Sequence, residues 1–145
     1  MNKWDYRWFQ LLDLVASWSN DPSTKVAAII IPQNSDIPVL GYNGFPRNVK
    51  DYPERYNDRE LKYKLIVHAE QNCILNALRN NINIKDGKIY VSFPPCHECS
   101  KSIVQSGLSE VIYRKPTEDF LSRWKESLEI SQIILGEGNI KLTEV

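Results

Sequence analysis

The chain is 145 residues long, 42% hydrophobic and 25% charged, and its 18 Lys+Arg balance 18 Asp+Glu to a net charge of zero. That is the length of about one domain, enough to bury a core without disulfide staples. A neutral chain lacks the basic excess of a domain that binds long nucleic acid, and no apolar run approaches the ~20 residues of a membrane span.

Residues 3–19 carry Trp4, Trp8, Leu11, Leu12, Val15 and Trp18 at spacings of three and four, which predicts an amphipathic helix. This start lacks the uninterrupted apolar core of a signal peptide, so a cytoplasmic location is expected. The run NDPST ends the helix, because Pro22 disfavours helical backbone at the residue before it. KVAAIIIP is an apolar, β-branched run that suits a buried strand, and IPVLGYN is a second strand joined to it by the loop QNSD. Residues 43–64 hold two prolines and mixed charges without periodicity. So long a connection is expected to be functional or to contain a short helix of its own.

A helix is predicted from Val67 to Arg79, with Ile74, Leu75 and Leu78 facing inward and Ala69 and Ala77 allowing close packing. KIYVSF is a third strand. CHECSKSIVQSG is a helix that Gly107 can end in a left-handed cap. EVIYR is a fourth strand. TEDFLSRWKESLEISQIILGEG reads as one long helix with Thr117 as N-cap, and IKLTEV as a last strand. The order α-β-β-α-β-α-β-α-β predicts an α/β fold, a three-layer α/β/α sandwich around a mixed five-stranded sheet. Ligands in such folds sit beyond strand ends, near helix N-termini.

Two segments carry chemistry. HAEQNC at 68–73 holds one of only two histidines, and PPCHEC at 94–99 holds two of only three cysteines. Three cysteines cannot all pair with one another, and a reducing compartment disfavours disulfides, so Cys-x-x-Cys reads first as metal-binding or redox-active. Cys96 and Cys99 fall on one side of a helical turn and can grip one ion together. His68 adds a third ligand, and three protein ligands leave the fourth position of zinc open, as in catalytic rather than structural sites. Glu70, two residues from His68, can lie beside the metal without ligating it and move protons there. A closed structural site would need Cys73 or His97 as fourth ligand. Cys73, however, falls roughly 140° around the helix from His68. A redox pair would leave His68 and Glu70 idle. Cys73 is expected to be a small buried hydrophobe, His97 a helix-surface residue or one that supports the metal ligands from behind, and the tryptophans core or oligomer contacts.

His-x-Glu followed by Pro-Cys-x-x-Cys is the signature of the zinc nucleobase deaminases. Over most of its length the chain resembles the deoxycytidylate (dCMP) deaminase family. DPSTKVAAIII at 21–31 is similar to the family's first-strand block, with Ala27 where a glycine is usual. GYNGFPR at 41–47 resembles its asparagine-containing segment. HAEQNCILNA and PPCHECSKSIVQSGLSEVIY resemble its two metal segments.

The resemblance implies one cytidine deaminase-like domain over residues 1–145, hydrolysing dCMP to dUMP and ammonia in pyrimidine metabolism. It implies that His68, Cys96 and Cys99 hold Zn2+, that Glu70 shuttles protons, and that Asn43 and the Ala69 backbone N–H bind substrate. Arg47 and Lys25 are the candidates for the phosphate. A homo-oligomer, hexamer or dimer, and the effectors dCTP and dTTP come with the same resemblance. Two departures stand out. Asn48 occupies a common glycine position and opens the run NVKDYPERYNDRE in the region where regulated members bind effectors, and RKPTEDFLSRW replaces a Tyr-His-Asp segment that shapes the pocket. The rivals are a deaminase of another cytosine or adenine substrate (nucleoside, base or tRNA) and a non-enzymatic zinc-stabilised binding module.

Overall fold

The computed structural model describes residues 1–145. Helix α1 (Lys3–Ala16) begins in a capping box: the Asn2 side chain accepts from the Trp4 and Asp5 N–H groups, and the Asp5 carboxylate accepts from the Asn2 N–H at 3.0 Å. This reciprocal pairing satisfies backbone donors that a helix start otherwise leaves open. The helix stops three residues short of the expected end.

Strands β1 (Ala27–Ile31) and β2 (Val39–Tyr42) form the expected antiparallel hairpin. The irregular stretch after β2 does contain helices of its own, α2 (Pro53–Asn57) and α3 (Arg59–Leu65). There follow α4 (Ala69–Arg79), β3 (Lys88–Val91), α5 (His97–Gln105) and β4 (Glu110–Tyr113). Gly107, just after α5, has φ +80, the left-handed stop read from the sequence.

Thr117 caps the next helix through the Phe120 N–H, as expected. That helix is broken, however, into α6 (Glu118–Arg123) and α7 (Lys125–Glu137). Trp124 leaves helical geometry at φ −109, ψ 11. Around the break Phe120 stacks on its neighbour Trp124 at 6.1 Å and on Phe93 at 4.8 Å, the latter a contact between distant segments that periodicity does not show. Strand β5 (Lys141–Glu144) completes a five-stranded sheet in the order β2-β1-β3-β4-β5. β1 runs antiparallel to β2 and β3, whereas the β3–β4 and β4–β5 pairs are parallel and joined by helical crossovers.

β1 is buried on both faces, which explains its uninterrupted apolar run. Ala28 and Ile30 pack with Ile89, Val91 and Val111 against residues of α4, α5 and α7. Ala27 and Ile29 pack with Tyr90 and Ile112 against Phe9, Leu12 and Val15 of α1. These are the three layers.

On α4, Ile74 packs against the core and Ala69 and Ala77 are buried as expected, but two of the residues expected inward turn outward. Leu75 and Leu78 are 51% and 72% exposed, and the buried positions are Ala69, Glu70, Cys73 and Ala77. Close approach is the reason. A Cβ on Gly41 of β2 would lie 2.4 Å from the Cys73 backbone nitrogen. Only small side chains fit that seam, so the large apolar ones turn outward. Asn72 and Asn76 also face β2, donating to the Tyr42 and Leu40 carbonyls at 2.8 and 2.7 Å. Those carbonyls belong to an edge strand and would otherwise stay open. Trp4, Trp18 and Trp124 are exposed rather than core.

Candidate metal centre and active site

Two helix starts meet at the site. His68 is the N-cap of α4 in extended backbone and makes no side-chain cap bond, so its ring is free for other contacts. Cys96 is the N-cap of α5, and its Sγ accepts from the Cys99 N–H at 3.5 Å. The ligand atoms of His68, Cys96 and Cys99 all lie within 4.8 Å of one another. His68 Nδ1 is 3.5 Å from Cys96 Sγ and 3.4 Å from Cys99 Sγ. Tetrahedral zinc, with Zn–S about 2.3 Å and Zn–N about 2.0 Å, sets that nitrogen–sulfur spacing at about 3.5 Å. One imidazole and two thiols at this spacing therefore fit zinc as a donor set. The helix dipoles favour the thiolate form.

The titrations of these three groups are linked across the cluster. The Cys99 thiol beside it, together with His68, overcomes partial burial and holds Cys96 down to about 4. Cys99 is pushed up by the neighbouring Cys96 sulfur and by burial. The hydrogen bond to Cys96 raises His68 against the opposing effect of burial. Glu70 is buried, with Oε2 3.5 Å from Cys99 Sγ. Burial is the main cause that lifts its carboxyl above 4.5. A carboxyl that holds a proton more readily than usual suits proton transfer at a metal site. Ala69, fully buried, opens α4, so its N–H has no intrahelical acceptor.

The two thiols are braced from the C-terminal helix. The Ser131 hydroxyl donates to the Pro95 carbonyl at 2.8 Å and lies 2.7 Å from Ser100 Oγ, which itself donates to the Cys96 carbonyl at 2.8 Å. His97 turns to Ser127 Oγ at 2.9 Å, and Cys73 is fully buried with its thiol on the Val39 carbonyl. Neither belongs to the ligand cluster.

The remaining sequence candidates stand further from the metal cluster. Asn43 is buried at the end of β2, and the next residue, Gly44, bridges Val67 immediately before His68. Its Oδ1 accepts from the Val26 N–H at 2.9 Å, and its Nδ2 donates to the Thr24 carbonyl at 2.9 Å and to Asp21 Oδ2 at 3.4 Å. Both amide hydrogens are thus engaged, which leaves one lone pair on Oδ1. Arg47 reaches Asn76 Oδ1 at 2.7 Å on the outside of α4, and Lys25 donates to the Ser19 carbonyl. Neither cation is brought to the ligand cluster. Asn48 has φ 68, a left-handed position that glycine fills without strain and asparagine tolerates.

Sequence reasoning passed over Asp21 and Lys62. Asp21 is 2% exposed and pairs with Lys62 Nζ at 2.8 Å. DPST does carry a turn signal, borne out by Asp21 Oδ1 accepting from the Ser23 and Thr24 N–H groups. The Lys62 partner, 41 residues on, left no local trace.

Comparison with known proteins agrees with this geometry. The family model of the cytidine and deoxycytidylate deaminase zinc-binding region matches residues 2–115. An uncharacterized deaminase in the luxG 3′ region of Aliivibrio fischeri is 41% identical over 143 residues, covering 99% of this chain and 94% of that protein. Human deoxycytidylate deaminase is 36% identical over 116 residues, covering 77% of this chain and 64% of the human protein. The chain thus spans less than two thirds of the human protein's length. The structure of dCMP deaminase from the cyanophage S-TIM5 in complex with dCMP and dUMP superposes with a TM-score of 0.76 at 21% identity, covering 100% of this chain and 99% of that one. That likeness shows the cytidine deaminase-like fold. With its two metal segments placed on neighbouring helix starts, the chain belongs to the cytidine and deoxycytidylate deaminase family, a zinc-binding deaminase family.

Proposed function

We propose that this chain catalyses the hydrolytic deamination of dCMP to dUMP with release of ammonia. The observation that carries the reaction is the three-residue His68–Cys96–Cys99 cluster with buried Glu70 beside it. Zinc, when bound, supplies a Lewis acid that lowers the pKa of water to about 7. Glu70 would carry the water's first proton to the ring nitrogen and its second to the leaving amine. The Ala69 N–H donates to the pyrimidine carbonyl. Asn43, with one lone pair left on Oδ1, accepts from a hydroxyl and has no donor for a phosphate. The deoxyribose of dCMP offers one free hydroxyl.

The choice of dCMP is supported by relatives named deoxycytidylate deaminase, human among them at 36% identity. Arg47 and Lys25 remain the phosphate candidates, each needing to leave its present oxygen partner. Residues 1–145 act as one deaminase domain in this reading, because β5 near the C-terminus completes the sheet that carries the metal ligands. The outward Leu75 and Leu78 of α4 and the exposed Trp4 and Trp124 supply apolar surface for a homo-oligomer, hexamer or dimer. No helix is long and apolar enough to cross a membrane, and three free thiols suit a reducing, cytoplasmic setting.

The test is ammonia release by zinc-replete protein given dCMP, deoxycytidine, CMP and dCTP in parallel. Turnover of dCMP well above the others is the expected result, and repeating it with added dCTP or dTTP reads effector control. Absence of turnover on all four, with one zinc bound, would overturn the assignment.

A further inference from the structure

Asp21 and Lys62 form a buried ion pair beside Asn43. Lys62 Nζ lies 2.9 Å from Asp21 Oδ1 and 2.8 Å from Oδ2, with side-chain exposures of 12% and 2%. Lys62 also touches Ser23 Oγ at 3.2 Å. A buried pair of this kind is seldom retained for stability, since an apolar pair of similar volume does as well. What it supplies here is direction. A carboxylate only accepts hydrogen bonds, and the Val26 N–H only donates. Between them they fix which end of the Asn43 amide faces which way: Nδ2 toward Asp21 Oδ2, and Oδ1 toward the Val26 N–H. Asp21 acts a second time through the turn it organises. Its Oδ1 receives the Ser23 and Thr24 N–H groups at 2.9 and 3.2 Å, and the Thr24 carbonyl so placed receives the other Asn43 amide hydrogen. Ser19 Oγ completes the frame by donating to the Asn43 carbonyl at 2.8 Å.

We infer that the Asp21–Lys62 pair positions the Asn43 amide, so that its one remaining lone pair is presented to the sugar hydroxyl of the substrate. The inference rests on the reading of Asn43 as a nucleotide contact. Lys62 keeps Asp21 charged and pinned, and Asp21 keeps Asn43 from rotating to offer a donor. The pair therefore sets how strictly the site demands a hydroxyl, without touching the substrate itself.

The experiment compares kcat/KM for dCMP and for 2′,3′-dideoxycytidine monophosphate, which lacks that hydroxyl, in zinc-loaded protein. The wild type is expected to prefer dCMP by about tenfold, the worth of one net hydrogen bond. The double variant Asp21→Asn/Lys62→Met removes both charges together and so avoids an unpaired buried ion that would unfold the chain. Its preference is expected to fall toward one, with zinc still at one equivalent and the thermal midpoint near that of the wild type. Lys62→Arg, which keeps the pair, is expected to retain the preference. A purely structural role predicts instead that the double variant, once folded, discriminates like the wild type, and that result overturns the inference. So does a wild type that turns over both nucleotides equally well. A wild type inactive on both overturns the functional reading itself.

Discussion

At Glu70 the local environment and the proposed chemistry demand the same thing. Burial raises its carboxyl above 4.5, and Cys99 Sγ lies 3.5 Å away. Glu70→Gln keeps the size and removes the exchangeable proton. Turnover is expected to fall by about 10²–10⁴-fold, the usual worth of general acid–base transfer, while zinc content measured by atomic absorption stays at one equivalent. A binding module would keep its function in this variant. Asp21 makes a second prediction at this scale. Burial alone would raise its carboxyl, but the Lys62 hydrogen bond and the Ser23 and Thr24 N–H groups bring it below 3.8. An acid group lowered on folding contributes stability that is fully present above its unfolded value and is lost as pH falls through the folded one. Urea unfolding between pH 6 and pH 2 should therefore show a stability loss below about pH 4. That loss should shrink when Asp21→Asn/Lys62→Met replaces the pair.

Elements place these residues, and they do so through close packing as much as through helix propensity. The seam between α4 and β2 admits no extra carbon at Gly41, where a Cβ would meet backbone atoms of Cys73 and Ala69 at 2.4–2.7 Å. Gly41→Ala should force α4 away from the sheet and cost about 1–3 kcal/mol in chemical denaturation, with weaker zinc retention because His68 caps that helix. Helix α7 acts on the site from the other side. Ser131 lies beyond the 2–115 segment matched by the family, yet it holds the Pro95 carbonyl next to Cys96. Ser131→Ala should lower zinc affinity by about 10-fold in chelator competition, the low end of what supporting contacts contribute at metal sites, and Ser131→Thr should restore most of it. Both elements were readable in outline. The amphipathic pattern located α4 and α7, but the pattern alone put Leu75 and Leu78 inside and ran α6 and α7 together.

For the whole molecule, the metal cluster joins two helix starts that are separated by β3 in the chain and adjacent in space. A ligand bound to the folded state stabilises it by mass action, and a site whose ligands come from separate elements does not persist in the unfolded chain. Removing zinc with a chelator should thus lower the thermal midpoint, and adding zinc back should restore it, as read by calorimetry. No change in midpoint would mean that the cluster does not hold metal in solution.

The chemistry of this protein was determined by local sequence. His-x-Glu and Pro-Cys-x-x-Cys each sit within one turn of a helix start, so residue types, spacing and capping point to the donor set and to the proposed proton carrier. The element order, and with it the mixed sheet, followed from hydrophobic period and turn residues in the same way. What only the tertiary structure decided depends on contacts across the sequence. The close seam at Gly41 accompanied the outward turn of Leu75 and Leu78 on α4, ring stacking at Phe93 accompanied the break at Trp124, and the Asp21–Lys62 pair joined residues 41 apart. Such contacts have no period and no fixed spacing. Their energy comes from shape and charge brought together by the fold, which one-dimensional patterns do not carry.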